Sequence, residues 1–291
     1  MTSNKLSSGL TTLDAALDGG FLPNSLIMII GATGVGKTQL GMHFSQAGLQ
    51  AEGQRGAIVD LSSRGDSQNH SNYMQRMFEA PLTVAGVHGQ PVRDMFDGER
   101  PADLFNFLGY SGRRVLRSQM DVDQWHAWQS EMNRRTPELF RFVYSHLVHG
   151  TRRFIVDGIE PLGRSDDSLQ LDLLELIYHR MLRTEHDWLA REVLREGYLK
   201  NAARVQQQAY DHRQSSAMVL VTTKQTMLEQ LMTEPLSDGD LAAGANTVIL
   251  MGRILADGKM SRGLYVAKHR GSFAASHTLR FDIDDSGIVF E

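Results

Sequence analysis

The feature that most constrains the fold is a glycine-rich loop between a predicted strand and a predicted helix. The apolar run SLIMII leads into GATGVGKT at residues 31–38, and the helix-like segment QLGMHFSQAGLQ follows. The loop matches G-x-x-x-x-G-K-[ST], in which backbone N–H groups and a helix N-terminus surround phosphate groups. We therefore predict a nucleotide-binding loop made of Gly31, Ala32, Thr33, Gly34, Val35, Gly36, Lys37, Thr38 and Gln39.

Two side chains of this loop have a predicted chemical role. Lys37 follows the last glycine, where an ammonium group reaches the β and γ phosphates of a nucleotide. The hydroxyl of Thr38 is the ligand that such loops offer to Mg²⁺. We therefore expect ATP and Mg²⁺ as cofactors, with Lys37 as a catalytic residue and Thr38 as a metal ligand.

A second metal ligand is predicted at the end of another strand. The segment RRFIVDGIE at residues 152–160 is an apolar strand that ends in Asp157, the form expected of a Walker B element. A strand that ends in Asp-Gly is also a common turn, so the assignment depends on the upstream loop. Together the two motifs predict that Thr38 and Asp157 share one magnesium site.

Six short apolar runs predict the fold class. They are SLIMIIG, AIVDL, RFIVDG, AMVLVTT, NTVILMGR and GLYVAKHR, and helix-compatible segments separate most of them. Such runs indicate a mostly parallel sheet that is covered on both faces. Near the C-terminus, Asp257-Gly258 predicts a two-residue hairpin, and LRFDIDDSGIVFE alternates around a further turn. We predict an α/β fold with antiparallel C-terminal hairpins.

Composition limits the class of protein further. The 291 residues carry a net charge of -4, so any nucleic-acid binding would need a local basic patch. The chain contains no cysteine, which excludes disulfides and thiolate metal sites. No apolar run approaches the length that spans a bilayer, and we expect a cytoplasmic protein with no membrane span.

Both ends of the chain resemble one family. The N-terminal segment SSGLTTLDAALDGGFLPNSLIMIIGATGVGKTQL resembles the opening of the KaiC-like branch of the RecA superfamily. The segments MSRGLYVAKHRGS and LRFDIDDSGIVF are similar to the family's closing hairpin. The resemblance covers about residues 7–64, 151–163 and 216–291. It implies one RecA-like ATPase domain over residues 1–291, assembled as a ring or filament of identical copies with nucleotide between them.

The resemblance also implies a role for two cations near the C-terminus. Lys268 and Arg270 match a Lys-x-Arg motif that, in similar proteins, reaches the γ-phosphate held by a neighbouring subunit. A cation supplied in this way can be worth roughly 10³ to 10⁵ in rate. The alternative is that both residues are a solvated strand end. We expect them to act as catalytic residues of the neighbour's site.

The same resemblance raises a doubt about rapid hydrolysis. KaiC-like ATPases typically end their second strand in paired glutamates, and Ser62 and Ser63 take those positions here. Serine cannot act as a general base, a role that contributes roughly 10² to 10⁴ in rate. Asp60, Asp66 and Glu160 are the alternative bases, and Glu160 is the one that we include among the catalytic candidates.

Two insertions enlarge the minimal core. Residues 65–150 include TPELFRFVYSHLVHG, which predicts a helix with Thr136 as N-cap, Pro137 at the first helical position and Gly150 as its stop. Its predicted apolar face is Leu139, Phe142, Val143, His146 and Leu147. Residues 164–214 predict a helical insertion with Leu174, Ile177, Met181, Trp188 and Leu189 on one face and a hairpin turn at Gly197. Such helices could cover the core or bind a protein partner.

Nucleic-acid binding is possible but not favoured. Arg113, Arg114 and Arg117 precede Trp125 and Trp128, and this combination could bind a single strand. Lys224 and Gln225 could contribute too, but the segment after them carries more acid than base. The histidines show no spacing typical of a zinc site.

The sequence therefore predicts a Mg-ATP-binding protein with slow hydrolysis that acts as a nucleotide-dependent assembly switch or scaffold. One alternative is an efficient ATPase motor that uses a displaced carboxylate. Another is a DNA-binding mediator of the recombination type. Autokinase activity is also conceivable, but no phosphate acceptor can be placed.

Overall fold

The computed structural model describes residues 5–62, 70–86, 95–96, 100–108, 120–160, 169–233, 244–256 and 258–291. Within these residues ten strands form one sheet in the order β10-β9-β8-β7-β1-β6-β5-β2-β4-β3. The strands are β1 (Leu26–Ala32), β2 (Ala57–Asp60), β3 (Val84–Gly86), β4 (Leu104–Asn106), β5 (Arg153–Ile159), β6 (Ser216–Thr223), β7 (Thr247–Ala256), β8 (Lys259–His269), β9 (Leu279–Asp284) and β10 (Gly287–Phe290).

Strand direction confirms the predicted fold class. Strands β1 to β7 run parallel to one another, whereas β8, β9 and β10 join as antiparallel strands. All six apolar runs identified in the sequence form strands of this sheet. The architecture is that of a RecA-like core: a mostly parallel sheet with antiparallel C-terminal hairpins.

The turn between β7 and β8 also follows the sequence prediction. Ala256 pairs with Lys259, so that only two residues connect β7 to β8. Gly258 has φ +74°, a left-handed conformation that glycine adopts without strain. Asp257, the other residue of this turn, lies outside the described residues.

Helices cover both faces of the sheet. They are α1 (Thr11–Ala16), α2 (Lys37–Glu52), α3 (His70–Phe78), α4 (Val122–Val148), α5 (Leu169–Glu175), α6 (His186–Leu194), α7 (Tyr198–Gln207) and α8 (Leu228–Thr233). Along β1, Ile27 and Ile29 face a core shared with α2 and the C-terminal strands. Met28 and Ile30 face a second core shared with α4 to α7. This burial on both sides explains why the strands are continuous apolar runs.

The start of α4 differs from the prediction. The helix begins at Val122, and Asp121 is its N-cap in a reciprocal capping box with Gln124. Thr136 is therefore not an N-cap, and Pro137 lies inside the helix. The Thr136 hydroxyl instead donates to the Met132 carbonyl, one turn back along the helix. The helix does not begin at Thr136 because Asp121 and Gln124 already cap it fifteen residues earlier.

The predicted apolar face of α4 is confirmed. Leu139, Phe142, Val143, His146 and Leu147 are all buried. The helix ends at Val148, and Gly150 follows with φ +84°.

The second insertion is helical, as predicted, but one side chain of its predicted apolar face is exposed. Leu174, Ile177, Met181 and Leu189 are buried, whereas Trp188 is 68% exposed. A π-helical segment, Leu176–Leu182, follows α5, and the chain then turns before α6 begins. Because α6 is a new helix, its own buried residues set its orientation and turn Trp188 to solvent. The turn between α6 and α7 lies at Arg195–Gly197, where the hairpin was predicted.

Strands β3 and β4 lie within the first insertion and were not predicted. They continue the parallel sheet beyond β2, so part of residues 65–150 belongs to the sheet itself. That residues 1–291 form a single domain remains a prediction.

Candidate nucleotide-binding site

The glycine-rich loop connects the central strand β1 to α2. Gly36 is the N-cap of α2 and has φ +113°, which strongly favours glycine. A Cβ atom on Gly36 would lie 3.0 Å from Ile283 Cδ1, so the loop packs against β9. Val35 and Gln39 are buried, whereas Thr33 and Gly34 are exposed. The loop is thus packed against the core at Val35, whereas Thr33 and Gly34 face solvent.

Lys37 lies at the base of this loop. Its Nζ donates to the carbonyl oxygens of Gly31 and Ala32, at 2.9 Å each. Burial lowers the pKa of Lys37 to about 8, although Asp157 and Glu160 act in the opposite direction. The ammonium group therefore lies within the electrostatic reach of both predicted acids.

Thr38 and Asp157 meet, as the two sequence motifs predict. The Thr38 hydroxyl donates to Asp157 Oδ2 at 2.9 Å, and the Gly158 N–H donates to Asp157 Oδ1 at 2.7 Å. Asp157 lies in β5 and is 1% exposed. A hydroxyl and a carboxylate are the hard oxygen ligands that Mg²⁺ prefers, so these residues fit the ion.

The end of β2 presents a buried carboxylate beside Asp157. Asp60 pairs with Asp157 in register, and the Ser62 N–H donates to Asp60 Oδ1 at 2.8 Å. Burial raises the pKa of Asp60, and Asp157 raises it further, whereas His70 and Ser62 lower it. Asp60 is thus tied to its own chain, and the side chain at position 62 is a hydroxyl.

Glu160 lies just beyond the end of β5. Its backbone N–H donates to Gln170 Oε1 at 3.1 Å, and its charge raises the pKa of Lys37. The structure therefore brings Glu160 near the base of the loop, where its role as a base remains a prediction.

His70 is a site residue that the sequence analysis missed. Its Nε2 lies 3.1 Å from Asp157 Oδ2, and both side chains are almost completely buried. His70 begins α3, and no motif or spacing in the sequence connects it to Asp157. Only the fold brings the two together.

Lys268 and Arg270 lie away from this chain's own loop. Lys268 pairs with Val248, and Val248 pairs with Met28 of β1. Met28 precedes Gly31 by three residues, which corresponds to roughly 10 Å along the strand. Lys268 and Arg270 therefore lie toward the end of the strands opposite to the glycine-rich loop. The two cations are near each other, because Arg270 helps to lower the pKa of Lys268 after the larger effect of burial.

Several predicted positions cannot be placed. Ser63 and Asp66, which were candidates at the end of β2, lie outside the described residues, and so does the arginine cluster Arg113, Arg114 and Arg117.

The other residues of the nucleic-acid hypothesis are among the described residues. The rings of Trp125 and Trp128 stack on each other, with centroids 5.1 Å apart. Lys224 and Gln225 follow β6 directly.

Among the described residues, no group of three or more histidine or acidic side chains could hold a metal ion. In the same part of the chain, no helix has both the length and the apolarity needed to cross a membrane.

The fold and the site define a class of protein. A central parallel strand enters a G-x-x-x-x-G-K-T loop, the loop starts a helix, and a neighbouring strand brings Asp157 to the Thr38 hydroxyl. This arrangement is a P-loop nucleotide-binding fold on a RecA-like core.

Comparison with known proteins gives a closer match over part of the chain. Residues 6–77 match the family model described as ATPase: KaiC. Over 54 residues the chain is 44% identical to the circadian clock oscillator protein KaiC of Thermostichus vulcanus, and equally to that of Thermosynechococcus vestitus. The aligned segment is 19% of this chain and 10% of each KaiC protein. The N-terminal quarter of the chain is therefore KaiC-like, and the match supports nucleotide binding there.

Proposed function

We propose that this chain binds Mg-ATP at residues 31–39, hydrolyses it slowly and acts as a nucleotide-dependent assembly switch. The observation that carries the proposal is the 2.9 Å contact between the Thr38 hydroxyl and Asp157 Oδ2, at the start of a helix entered from a P-loop. Lys37 supports it, because its buried ammonium group needs only to leave two carbonyl oxygens to reach phosphate.

Each residue has a defined part in this proposal. Thr38 and Asp157 would hold Mg²⁺, whose chemistry when bound is to neutralise charge on the β and γ phosphates. Lys37 binds the same phosphates, and the backbone N–H groups of the loop orient them. The phosphates displace the Lys37 ammonium group from the carbonyl oxygens because they carry full negative charge.

Slow turnover follows from the end of β2. Ser62 offers a hydroxyl where a base is needed, and Asp60 is buried and accepts the Ser62 N–H. A general base contributes roughly 10² to 10⁴ in rate, so its absence leaves binding intact while hydrolysis falls. Bound ATP then persists long enough to control assembly.

Assembly is supported by the position of the two C-terminal cations. Lys268 and Arg270 lie toward the end of the strands opposite to the loop, so in this proposal they contact the nucleotide of a second copy. Head-to-tail contacts of this kind close into rings or extend as filaments. The insertions provide a surface for a protein partner, and exposed Trp188 and Leu199 support this part of the proposal.

The test is steady-state ATP hydrolysis by the purified protein with Mg²⁺, beside Lys37→Ala, at several protein concentrations. ATP binding is measured on the same samples. The proposal expects the wild type to bind ATP and to hydrolyse it slowly, and Lys37→Ala to bind ATP much more weakly and to hydrolyse it only at the background rate. Failure of the wild type to bind ATP would overturn the proposal.

Efficient hydrolysis is a second candidate function, and one observation favours it. Glu160 lies close enough to Lys37 to raise its pKa, which places a carboxylate near the phosphate end of the loop. If Glu160 is the base, the wild type hydrolyses ATP rapidly and Glu160→Gln reduces kcat by roughly 10² to 10⁴ with little effect on KM. Equal rates in the wild type and Glu160→Gln would exclude this role.

A further inference from the structure

The structure assigns His70 a positioning role: its imidazole contacts the Asp157 carboxylate and orients it for Mg²⁺. The inference rests on the proposed function, because it takes Asp157 as part of a magnesium site. It concerns a residue for which the sequence shows no motif. The observation behind it is the 3.1 Å contact between His70 Nε2 and Asp157 Oδ2.

The hydrogen bonds around Asp157 explain how His70 acts. Oδ2 accepts from the Thr38 hydroxyl and faces His70 Nε2, while Oδ1 accepts from the Gly158 N–H. These three donors come from α2, α3 and β5, so partners on three different elements fix the orientation of the carboxylate.

The neighbouring strand brings a second buried carboxylate to this region. Asp60 and Asp157 pair in register, and both are buried. His70 Nε2 lies against the one of these two carboxylates that also accepts from the Thr38 hydroxyl.

The packing of α3 delivers His70 to this position. Met74 and Met77 lie on the same side of the helix and are buried in the core that α2 shares. Phe78, at the end of α3, packs edge-on against His43 of α2, with ring centroids 5.3 Å apart. These apolar contacts hold α3 without help from His70, so the imidazole can be replaced while the helix stays in place.

A role in packing alone makes a different prediction from a role in positioning. Loss of packing lowers the free energy of unfolding but leaves the dependence of ATP affinity on Mg²⁺ unchanged. Loss of a hydrogen-bonding partner of a metal ligand typically weakens metal affinity by roughly 10 to 100-fold. The concentration of Mg²⁺ that gives half of its effect on ATP affinity therefore separates the two roles.

The experiment measures ATP affinity by calorimetry across a Mg²⁺ titration and in EDTA. His70→Met removes the N–H and introduces an apolar side chain of similar length, on the same helix as Met74 and Met77. His70→Gln retains an N–H donor near the position of Nε2. We expect His70→Met to raise the half-effective Mg²⁺ concentration by roughly 10 to 100-fold, with affinity in EDTA unchanged, and His70→Gln to restore most of it.

The matched control is His146→Met, which replaces another histidine that is 1% exposed but lies in α4, outside the site. If His70→Met fails to fold, His70→Asn takes its place in the comparison. Its shorter side chain holds the amide N–H further from Asp157 than His70 Nε2. An unchanged Mg²⁺ requirement in the folded donor-withdrawing variant would overturn the inference while ATP binding by the wild type stands. If the wild type binds no ATP, the proposed function fails, and this inference with it.

Discussion

Lys268 in β8 lies opposite Val248 in β7, at the level of Met28 rather than at the end of β1 that leads into the P-loop. The cation that the proposed function requires is thus displaced along the sheet from its own chain's nucleotide loop. In the proposed assembly, a neighbouring copy supplies Lys268 and Arg270 to this site. This geometry leads to a mixing experiment.

We predict that two inactive variants restore hydrolysis to each other. Lys37→Ala loses its own phosphate site but keeps both C-terminal cations, whereas the double variant Lys268→Ala, Arg270→Ala keeps the site and loses the cations. In a mixture, the first supplies cations to the intact site of the second. We expect each variant alone to fall to background and the mixture to regain a quarter to a half of the wild-type rate, since only mixed contacts are complete.

The control for this mixture is a triple variant that carries all three substitutions. Mixed with Lys37→Ala, it contributes neither an intact site nor cations, so the rate should stay at background. Full activity of Lys268→Ala, Arg270→Ala alone would show that the two cations do not serve any nucleotide site.

Phe273 is predicted to contribute to the contact between copies. It is 69% exposed and follows Arg270 closely, in a loop that is anchored at both sides. Ser272 hydrogen bonds to Lys5 at 2.6 Å and to Asp18 at 2.9 Å, and the Ala275 N–H donates to Ala16. A large aromatic side chain held on a fixed loop is typical of an interface anchor.

We expect Phe273→Ser to weaken ATP-dependent assembly by at least about tenfold in protein concentration, which corresponds to a loss of more than 1 kcal/mol at one contact. Sedimentation velocity with and without ATP measures it. Trp188→Ser is the matched control, because Trp188 is equally exposed, at 68%, but lies in α6. Assembly that tolerates Phe273→Ser as well as it tolerates Trp188→Ser would contradict the prediction.

Arg153 is predicted to be a major contributor to stability. Its guanidinium pairs with Glu52 at 2.9 Å, and the two side chains are 1% and 5% exposed. It also donates to the carbonyls of Ser7 and Phe44. One side chain thus joins the N-terminal segment, the end of α2 and the start of β5.

Arg153→Met should lower the free energy of unfolding by about 3 to 5 kcal/mol, because it leaves the Glu52 carboxylate buried without its charge partner. The double variant Arg153→Met, Glu52→Gln should recover part of this loss, since it removes the unpaired charge. Urea unfolding measures both. A double variant that is less stable than Arg153→Met would show that loss of the hydrogen bonds, rather than of the charge pair, dominates.

The strands and the phosphate loop could be predicted because their signals are local. Parallel strands buried on both faces are continuous apolar runs, and the loop requires a fixed spacing of glycine and lysine. Strands β3 and β4 have three residues each, which is too short for any periodic pattern to identify. Their position depends on pairing with β2, which is a property of the fold.

The errors in the helical segments have a common physical cause. Thr136 and Pro137 are a valid helix start by themselves, but Asp121 and Gln124 cap the helix earlier, and α4 continues through the proline. Trp188 fits the period of the preceding helix only if the helix does not break, and the chain turns before α6. Competition between local signals is decided by packing, which a single sequence does not display.

His70 shows the same limit for the site. Asp157 could be identified because a motif contains it, whereas His70 belongs to no motif and reaches Asp157 only through the packing of α3. Residues that orient a ligand without touching a nucleotide have no required spacing in the chain. They become visible only when the contacts are known.

A buried histidine away from the site predicts how stability depends on pH. His146 Nε2 lies 2.9 Å from the Ala102 carbonyl, and Nδ1 lies 3.0 Å from the Thr151 hydroxyl. Because a carbonyl can only accept, Nε2 must donate to it, and Nδ1 of the neutral ring then accepts from Thr151. The neutral imidazole is fully hydrogen bonded, so protonation has to disturb this arrangement.

Burial lowers the pKa of His146 to about 4, and Arg100 and His149 lower it further, whereas the Ala102 carbonyl and Asp103 act in the opposite direction. An unfolded histidine titrates near pH 6.5. Above that pH the ring is neutral in both states and its contribution to stability is complete. As the pH falls from 6.5 toward 4, the unfolded chain binds a proton that the folded chain does not, so stability decreases by about 1.4 kcal/mol per pH unit.

His146→Gln should therefore reduce the acid sensitivity of the fold even if it lowers stability at neutral pH. Glutamine does not titrate, and its amide can still donate to the Ala102 carbonyl. The free energy of unfolding, measured in urea at pH 7, 6 and 5, should fall less steeply in the variant, with a difference that approaches about 1 kcal/mol per unit below pH 6. Parallel curves for the two proteins would contradict the lowered pKa of His146. They would mean that the folded and unfolded chains bind a proton at this histidine equally well.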